Sequence, residues 1–282
     1  VHPYSEGDRA GSAAPVKASS AIVGAIPARY GSQRLPGKAL HPLAGRPMVE
    51  HVYRRAVRAP GLDRVVVLTD DERIARAVEF FGGEVEMTPT TCASGTDRIA
   101  WAARNWNCAA VINIQGDEPL IDPVGIGRVA SHLRSHPGDP IVTLAADALE
   151  GDLDSPGVVK VVLDREGYAL YFSRAPIPFP RHPGGAAPLR HLGIYGYQRA
   201  ALLELAALPQ TPLEKSESLE QLRALENRMT IKVLTGARPS WGVDTQEDAD
   251  EVEARIRKDL ANEAPDATDR LDRSDPEGGV AR

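Results

Sequence analysis

Strand-length apolar runs alternate with stretches of helical periodicity from residue 21 onward, and that order admits few folds. Residues 21–26 are an apolar run, and Met48, Val49, Val52, Tyr53, Ala56 and Val57 then recur at helical spacing after Pro47, a good first helical residue. Residues 65–68 read as a second strand. Asp70, Asp71 and Glu72 set acids, as caps, at the opening of a helix over 74–81, which Gly82 and Gly83 stop. Helix is expected over 96–106 and 126–133, strand over 109–114, 141–145 and 158–163. The β-α-β-α-β succession predicts an α/β fold: a doubly wound, mostly parallel sheet with helices on both faces. Ligands of such sheets sit at the carboxyl ends of the strands. From about 150 to 200 the pattern changes to a hairpin, residues 158–163 and 168–172 about an Asp-Arg-Glu-Gly turn, followed by a Pro/Gly loop over 181–188. This portion predicts a smaller lobe.

The first strand runs straight into Pro27-Ala28-Arg29-Tyr30-Gly31-Ser32-Gln33-Arg34-Leu35-Pro36-Gly37-Lys38. Two arginines and a lysine on a Gly/Pro loop after a strand form a basic cradle whose backbone can approach a polyphosphate closely. It is not a Walker A loop. Five residues, not four, separate Gly31 from Gly37, and Ala39 stands where that motif needs Ser or Thr for magnesium.

The whole chain is acidic, with net charge -6, which argues against a nucleic-acid partner and requires the positive charge to be concentrated locally. A hydrophobic content of 42% suffices for a full core. Cys92 and Cys108 form no CxxC pattern, so neither a disulfide framework nor a thiolate metal site is expected. His132 and His136 lack the Glu and third ligand of a zinc site. No apolar run reaches the roughly 20 residues that cross a bilayer, so no membrane association is expected. Residues 1–20 lack the apolar core of a secretory signal, and a cytoplasmic location is expected. Residues 1–19 read as a disordered extension, 20–258 as the working domain and 259–282 as a flexible tail.

The basic loop resembles the signature loop of cytidylyltransferases that activate acidic sugars. Further segments are similar to one branch, the 3-deoxy-manno-octulosonate (Kdo) cytidylyltransferases, or CMP-Kdo synthetases. These are Ser94-Gly95-Thr96-Asp97-Arg98, Gln115-Gly116-Asp117-Glu118-Pro119, Tyr171-Phe172-Ser173-Arg174 and Arg190-His191-Leu192-Gly193-Ile194-Tyr195-Gly196-Tyr197. Leu219-Glu220-Gln221-Leu222-Arg223 and Gly242-Val243-Asp244-Thr245 continue the likeness, which covers roughly residues 20 to 258 in family order. The resemblance implies attack of a sugar hydroxyl on the α-phosphorus of CTP, releasing pyrophosphate, in a Mg²⁺-dependent homodimer that feeds lipopolysaccharide assembly. CTP and an acidic small-molecule acceptor are the implied partners.

The residues divide by task. Pro27, Ala28, Arg29, Arg34, Lys38 and Gln115 are assigned to the nucleotide, with Arg29, Lys38 and Asp117 counted as catalytic. Asp117, at the end of the strand Val111-Ile112-Asn113-Ile114, suits Mg²⁺, which takes one or two carboxylates plus phosphate oxygens. Asp244 matches the family's second carboxylate. For both, a helix cap is the alternative. Ser94, Gly95 and Arg98 resemble a cytosine-reading turn, although Asp97 stands where the family usually has Glu. Trp241 stands where relatives often have a smaller residue. For the acceptor the resemblance implicates Gln115, Arg174, His191, Tyr195, Glu220 and Gln221, a guanidinium for a carboxylate and neutral donors for hydroxyls. His191 could equally be a core histidine, and Glu220 a solvated helical carboxylate. Glu118 is read only as steering its loop.

Two other readings compete. Cytidylyl transfer to a different acid, such as a sialic acid, amino-Kdo or a phosphonate, keeps the chemistry and changes the acceptor. A silent nucleotide-binding protein belongs to another class, and the retention of Arg29, Lys38, Asp117 and Asp244 argues against it.

Overall fold

The computed structural model describes residues 19–31, 34–182 and 184–263; the extension expected over 1–18 and the tail over 264–282 lie outside the described residues. The last helix continues through residues 259–263, which the sequence reading gives to a flexible tail.

Strand β1 (Ile22–Ala28) is followed by the basic loop, a two-stranded ribbon of β2 (Pro42–Leu43) and β3 (Arg46–Pro47), and helix α1 (Met48–Ala56). Then come β4 (Arg64–Thr69), α2 (Glu72–Phe80), β5 (Val85–Met87), α3 (Gly95–Ala103), β6 (Ala110–Asn113), α4 (Pro123–Ser135) and β7 (Ile141–Asp147). The hairpin β8 (Lys160–Leu163) and β9 (Ala169–Ser173) leads to β10 (Leu189–Gln198). Helices α5 (Arg199–Ala207), α6 (Pro212–Glu217) and α7 (Gln221–Glu226), strand β11 (Ile231–Leu234) and helix α8 (Gln246–Glu263) complete the order.

Seven strands form one path, β11-β7-β10-β6-β1-β4-β5, and the β8–β9 hairpin joins it through β10. The pairs β1–β4, β1–β6, β4–β5 and β7–β11 are parallel, whereas β10 runs antiparallel to β6, β7 and β8. The sheet is therefore mostly parallel but carries one long reversed strand in its middle. β1 shows how its faces are filled. Val23 and Ala25 point into a core shared with Ile99 of α3 and Leu202 of α5; Ile22 and Ile26 point into another with Val52 of α1, Ile74 of α2 and Ile126 of α4. A third, smaller core holds Leu35, Leu43, Met48 and Val243 against Ala249, Val252 and Ile256 of α8.

Two local expectations are corrected. The helix read over 96–106 stops at Ala103, and residues 104–106 turn away from it. Asp71 caps α2 as expected, accepting from Arg73 N at 2.9 Å, but Asp70 does not cap; it receives a guanidinium. β5, α5, α6 and β11 had no counterpart in the sequence reading.

Candidate active site

Parallel register fixes the site. Ala25 pairs with Asn113, so Pro27-Ala28-Arg29 and Gln115-Gly116-Asp117 leave the sheet side by side at the carboxyl ends of β1 and β6. They lie so close that a Cβ on Gly116 would stand 2.8 Å from the Pro27 carbonyl oxygen, and only glycine fits there. The basic loop then curls back. Gly37 N donates to the Tyr30 carbonyl at 3.1 Å, and Gly37 adopts φ +69 with the Tyr30 ring packed beneath it.

A cleft of about 290 Å³ opens between these segments, walled by Pro27, Ala28, Arg29, Lys38, Gly95, Gln115 and Asp117 among others. Six residues assigned to the nucleotide from sequence, and Asp117 assigned to the metal, thus meet around one space. Arg29 reaches across it and donates to the Cys92 carbonyl at 2.6 Å.

At its rim Lys38 Nζ lies 2.6 Å from Asp117 and 2.9 Å from Asp244, and Arg34 pairs with Asp244 at 3.0 Å. Burial works to lower the Lys38 pKa, but the two carboxylates outweigh it and hold the ammonium above its ordinary value. The two acids are brought into register by a backbone bond, Val243 N to the Asp117 carbonyl at 2.9 Å. The cap alternative fails for both. Asp122 caps α4. At the start of α8 it is Asp248 that accepts from Asp244 N and Thr245 N, at 3.0 and 2.9 Å. The Asp117 and Asp244 side chains are thereby left to face the loop cations.

Ser94 caps α3 in a reciprocal box with Asp97, and its hydroxyl also donates to Glu220 at 3.1 Å. The shorter Asp97 is therefore no defect; it closes the box. Thr96 donates to the other Glu220 oxygen, so this carboxylate ties α3 to the start of α7 and is not merely solvated. Gln221, next to it, is buried.

Arg98 is placed elsewhere than expected. Its side chain is fully buried, donating to Asp70 at 2.9 Å and to Thr88, and it does not face the cleft. A guanidinium so enclosed stays with its partners, because withdrawing it would strand the Asp70 carboxylate and the Thr88 hydroxyl. Arg174 is likewise engaged, donating from Nε to the Glu217 carbonyl at 2.8 Å and from Nη1 to that of Pro156 at 2.9 Å.

His191 and Tyr195 lie on β10, on either side of a register shift between Leu192 and Tyr195. The His191 ring meets the Thr143 hydroxyl at 2.9 Å and stacks edge-on against Phe172, and desolvation lowers its pKa to about 3. Desolvation thus favours the neutral ring, although His191 is only partly buried. The buried Tyr195 hydroxyl has no hydrogen-bond partner among the described residues. Gln115 donates to the Gly193 carbonyl at 3.1 Å, joining this strand to the Asp117 loop.

Sequence reasoning gave Glu118 no role beyond steering its loop. Burial first, and then the charge of Asp117, raise its carboxyl to about 7, against the pull of Ser240 and Arg190. Among the described residues no group of three or more His, Cys, Asp or Glu is placed to hold a metal ion.

A family model described as cytidylyltransferase matches residues 23–231. A 3-deoxy-manno-octulosonate cytidylyltransferase of Syntrophotalea carbinolica is 48% identical over 246 residues, covering 84% of this chain and 98% of that protein. An 8-amino-3,8-dideoxy-manno-octulosonate cytidylyltransferase of a Shewanella species (strain ANA-3) is 50% identical over 239 residues, 83% and 98% of the two chains. Among solved structures, a CMP:2-keto-3-deoxy-manno-octonic acid synthetase complexed with CTP superposes with a TM-score of 0.82 at 41% identity, over 86% of this chain and all of that one.

Proposed function

The chain belongs to the 3-deoxy-manno-octulosonate cytidylyltransferase family of nucleotidyltransferases, and we propose that it transfers CMP from CTP to a hydroxyl of Kdo with release of pyrophosphate. One observation carries the reading: a single ammonium, Lys38, holds Asp117 and Asp244 together at the edge of the cleft walled by the basic loop.

The reaction must bring an anionic sugar to a triphosphate and relieve charge on the leaving pyrophosphate. Two unit charges about 4 Å apart interact by ~1 kcal/mol in water and ~4 kcal/mol at an effective dielectric of 20, so cations fixed in a cleft are the main catalytic resource. Arg29, Arg34 and Lys38 supply them. Gly95 and Ser94 present a small-residue turn to the base, and Gln115 stands between the nucleotide cleft and β10. Glu220, Tyr195 and the neutral His191 offer hydrogen-bonding groups to sugar hydroxyls, and Arg174 a cation to the sugar carboxylate.

The donor set fits a hard divalent cation. Asp117 and Asp244 are carboxylates that already converge on one positive charge. They would hold Mg²⁺, which when bound neutralises phosphate oxygens of the nucleotide. The homodimer formed through the 150–200 region is proposed on the family resemblance. A cytoplasmic location is in keeping with the absence, among the described residues, of any helix long and apolar enough to cross a membrane.

The relatives from Shewanella species favour one second reading, an 8-amino acceptor. An acceptor screen with a pyrophosphate readout decides. Release should require CTP, Kdo and Mg²⁺ together; turnover with the 8-amino sugar alone moves the assignment to that acceptor, and none with either, while CTP still binds, overturns both.

A further inference from the structure

A second hollow, about 480 Å³, shares no lining residue with the nucleotide cleft. Its walls come from the segments that follow Asp117 and precede Asp244: Leu120 and Asp122 on one, Arg238, Pro239 and Trp241 on the other. Helices α1 and α8 close it with Arg55, Arg255, Lys258 and Asp259.

The charges here are unevenly satisfied. Asp122 accepts from Val124 N at 3.1 Å as the cap of α4, and Asp259 lies 3.6 Å from Arg55. Arg255 pairs with Glu251 at 2.6 Å while its guanidinium lies 4.1 Å from the Trp241 ring centroid. Both carboxylates and two of the four cations are thus occupied. Arg238 and Lys258 are exposed and, among the described residues, have no carboxylate within ion-pair distance. Two free cations over an aromatic floor, in a chain of net charge -6, are a local excess that folding does not require.

We propose that this hollow is a second anion site for a small ligand bearing two or more phosphate groups, gripped by Arg238 and Lys258 and seated on the Trp241–Arg255 floor. A guanidinium fork and an ammonium match phosphate oxygens, and a monocarboxylate would leave one of the two cations unmatched. The site bears on the machinery beside it. Trp241 precedes Gly242-Val243-Asp244, and Val243 is bonded to Asp117, so an occupant rests on the backbone that holds both carboxylates. The assignment does not depend on the transfer reaction or its acceptor.

The test titrates inorganic pyrophosphate into the full chain at constant ionic strength, without CTP or divalent ions, by calorimetry and tryptophan fluorescence. Two sites are expected, one lost in Lys38→Gln and the other weakened by about tenfold or more in the double variant Arg238→Gln/Lys258→Gln, since charge-assisted bonds are the strong ones. Both substituted groups are exposed, so the melting temperature of the double variant should match wild type. Trp241→Phe should keep the second site and lose its fluorescence change. A single site abolished by Lys38→Gln, wild-type binding by the double variant, or the same response to sulfate at matched ionic strength would overturn the proposal.

Discussion

Lys38 and Asp117, 79 positions apart in the chain, meet at 2.6 Å, and the same ammonium reaches Asp244 at 2.9 Å. A lysine thus sits where two acids need a positive charge. If Lys38 serves the nucleotide phosphates, as proposed, the same two carboxylates would be the ones to hold a divalent ion.

Replacing Lys38 by Gln should therefore lower the melting temperature of the metal-free protein, because two facing carboxylates lose their shared counter-ion. Added Mg²⁺ should then raise the melting temperature of Lys38→Gln by more than it raises that of wild type. Scanning fluorimetry at several Mg²⁺ concentrations measures both; equal Mg²⁺ shifts would show that the ammonium does not compete with the ion.

Asp117→Asn keeps the shape of the side chain and removes its charge. It should fold as wild type by circular dichroism and lose at least about tenfold in pyrophosphate release, roughly 1.4 kcal/mol of barrier stabilisation. Turnover at the wild-type rate would refute its role.

Arg98 is 0% exposed and its Asp70 partner is largely buried, so Arg98→Met leaves a carboxylate uncompensated. The expected cost is about 3–5 kcal/mol of unfolding free energy, read from the urea midpoint. Asp70→Asn/Arg98→Met, which removes both charges, should recover part of it. A loss confined to CTP affinity, with stability intact, would return Arg98 to the nucleotide site.

His191 sets a pH dependence of stability. In the folded protein desolvation depresses its pKa to about 3, below the ~6.5 of a free imidazole. Between those values the unfolded chain binds a proton that the folded chain does not, so stability falls as pH falls from about 6.5 toward 3. His191→Gln should flatten that slope in melts taken from pH 7 to 4; an unchanged slope would mean the ring is protonated in the fold.

The α/β architecture was legible because β1, β4, β6 and β7 are dense apolar runs, and the cleft because its residues leave adjacent strand ends. Long-range pairing was less visible. β5, of three residues, and β11, of four, are too short to announce themselves, and each is a strand chiefly because β4 or β7 offers it an edge. Arg98 looked functional because it follows a recognition turn, but helical periodicity carries it inward, to Asp70. Glu220 looked exposed from its own helix; the hydroxyls that satisfy it belong to α3, more than a hundred positions earlier.

The third core has an outcome of its own. Leu35 from the cationic loop and Val243 beside Asp244 are wedged against the apolar stripe of α8, outside the sheet altogether. Severing the backbone ahead of Gln246 would spare every rung of the β-ladder and still disarm the protein, since the C-terminal helix is the latch that keeps its opposed charges within reach of each other.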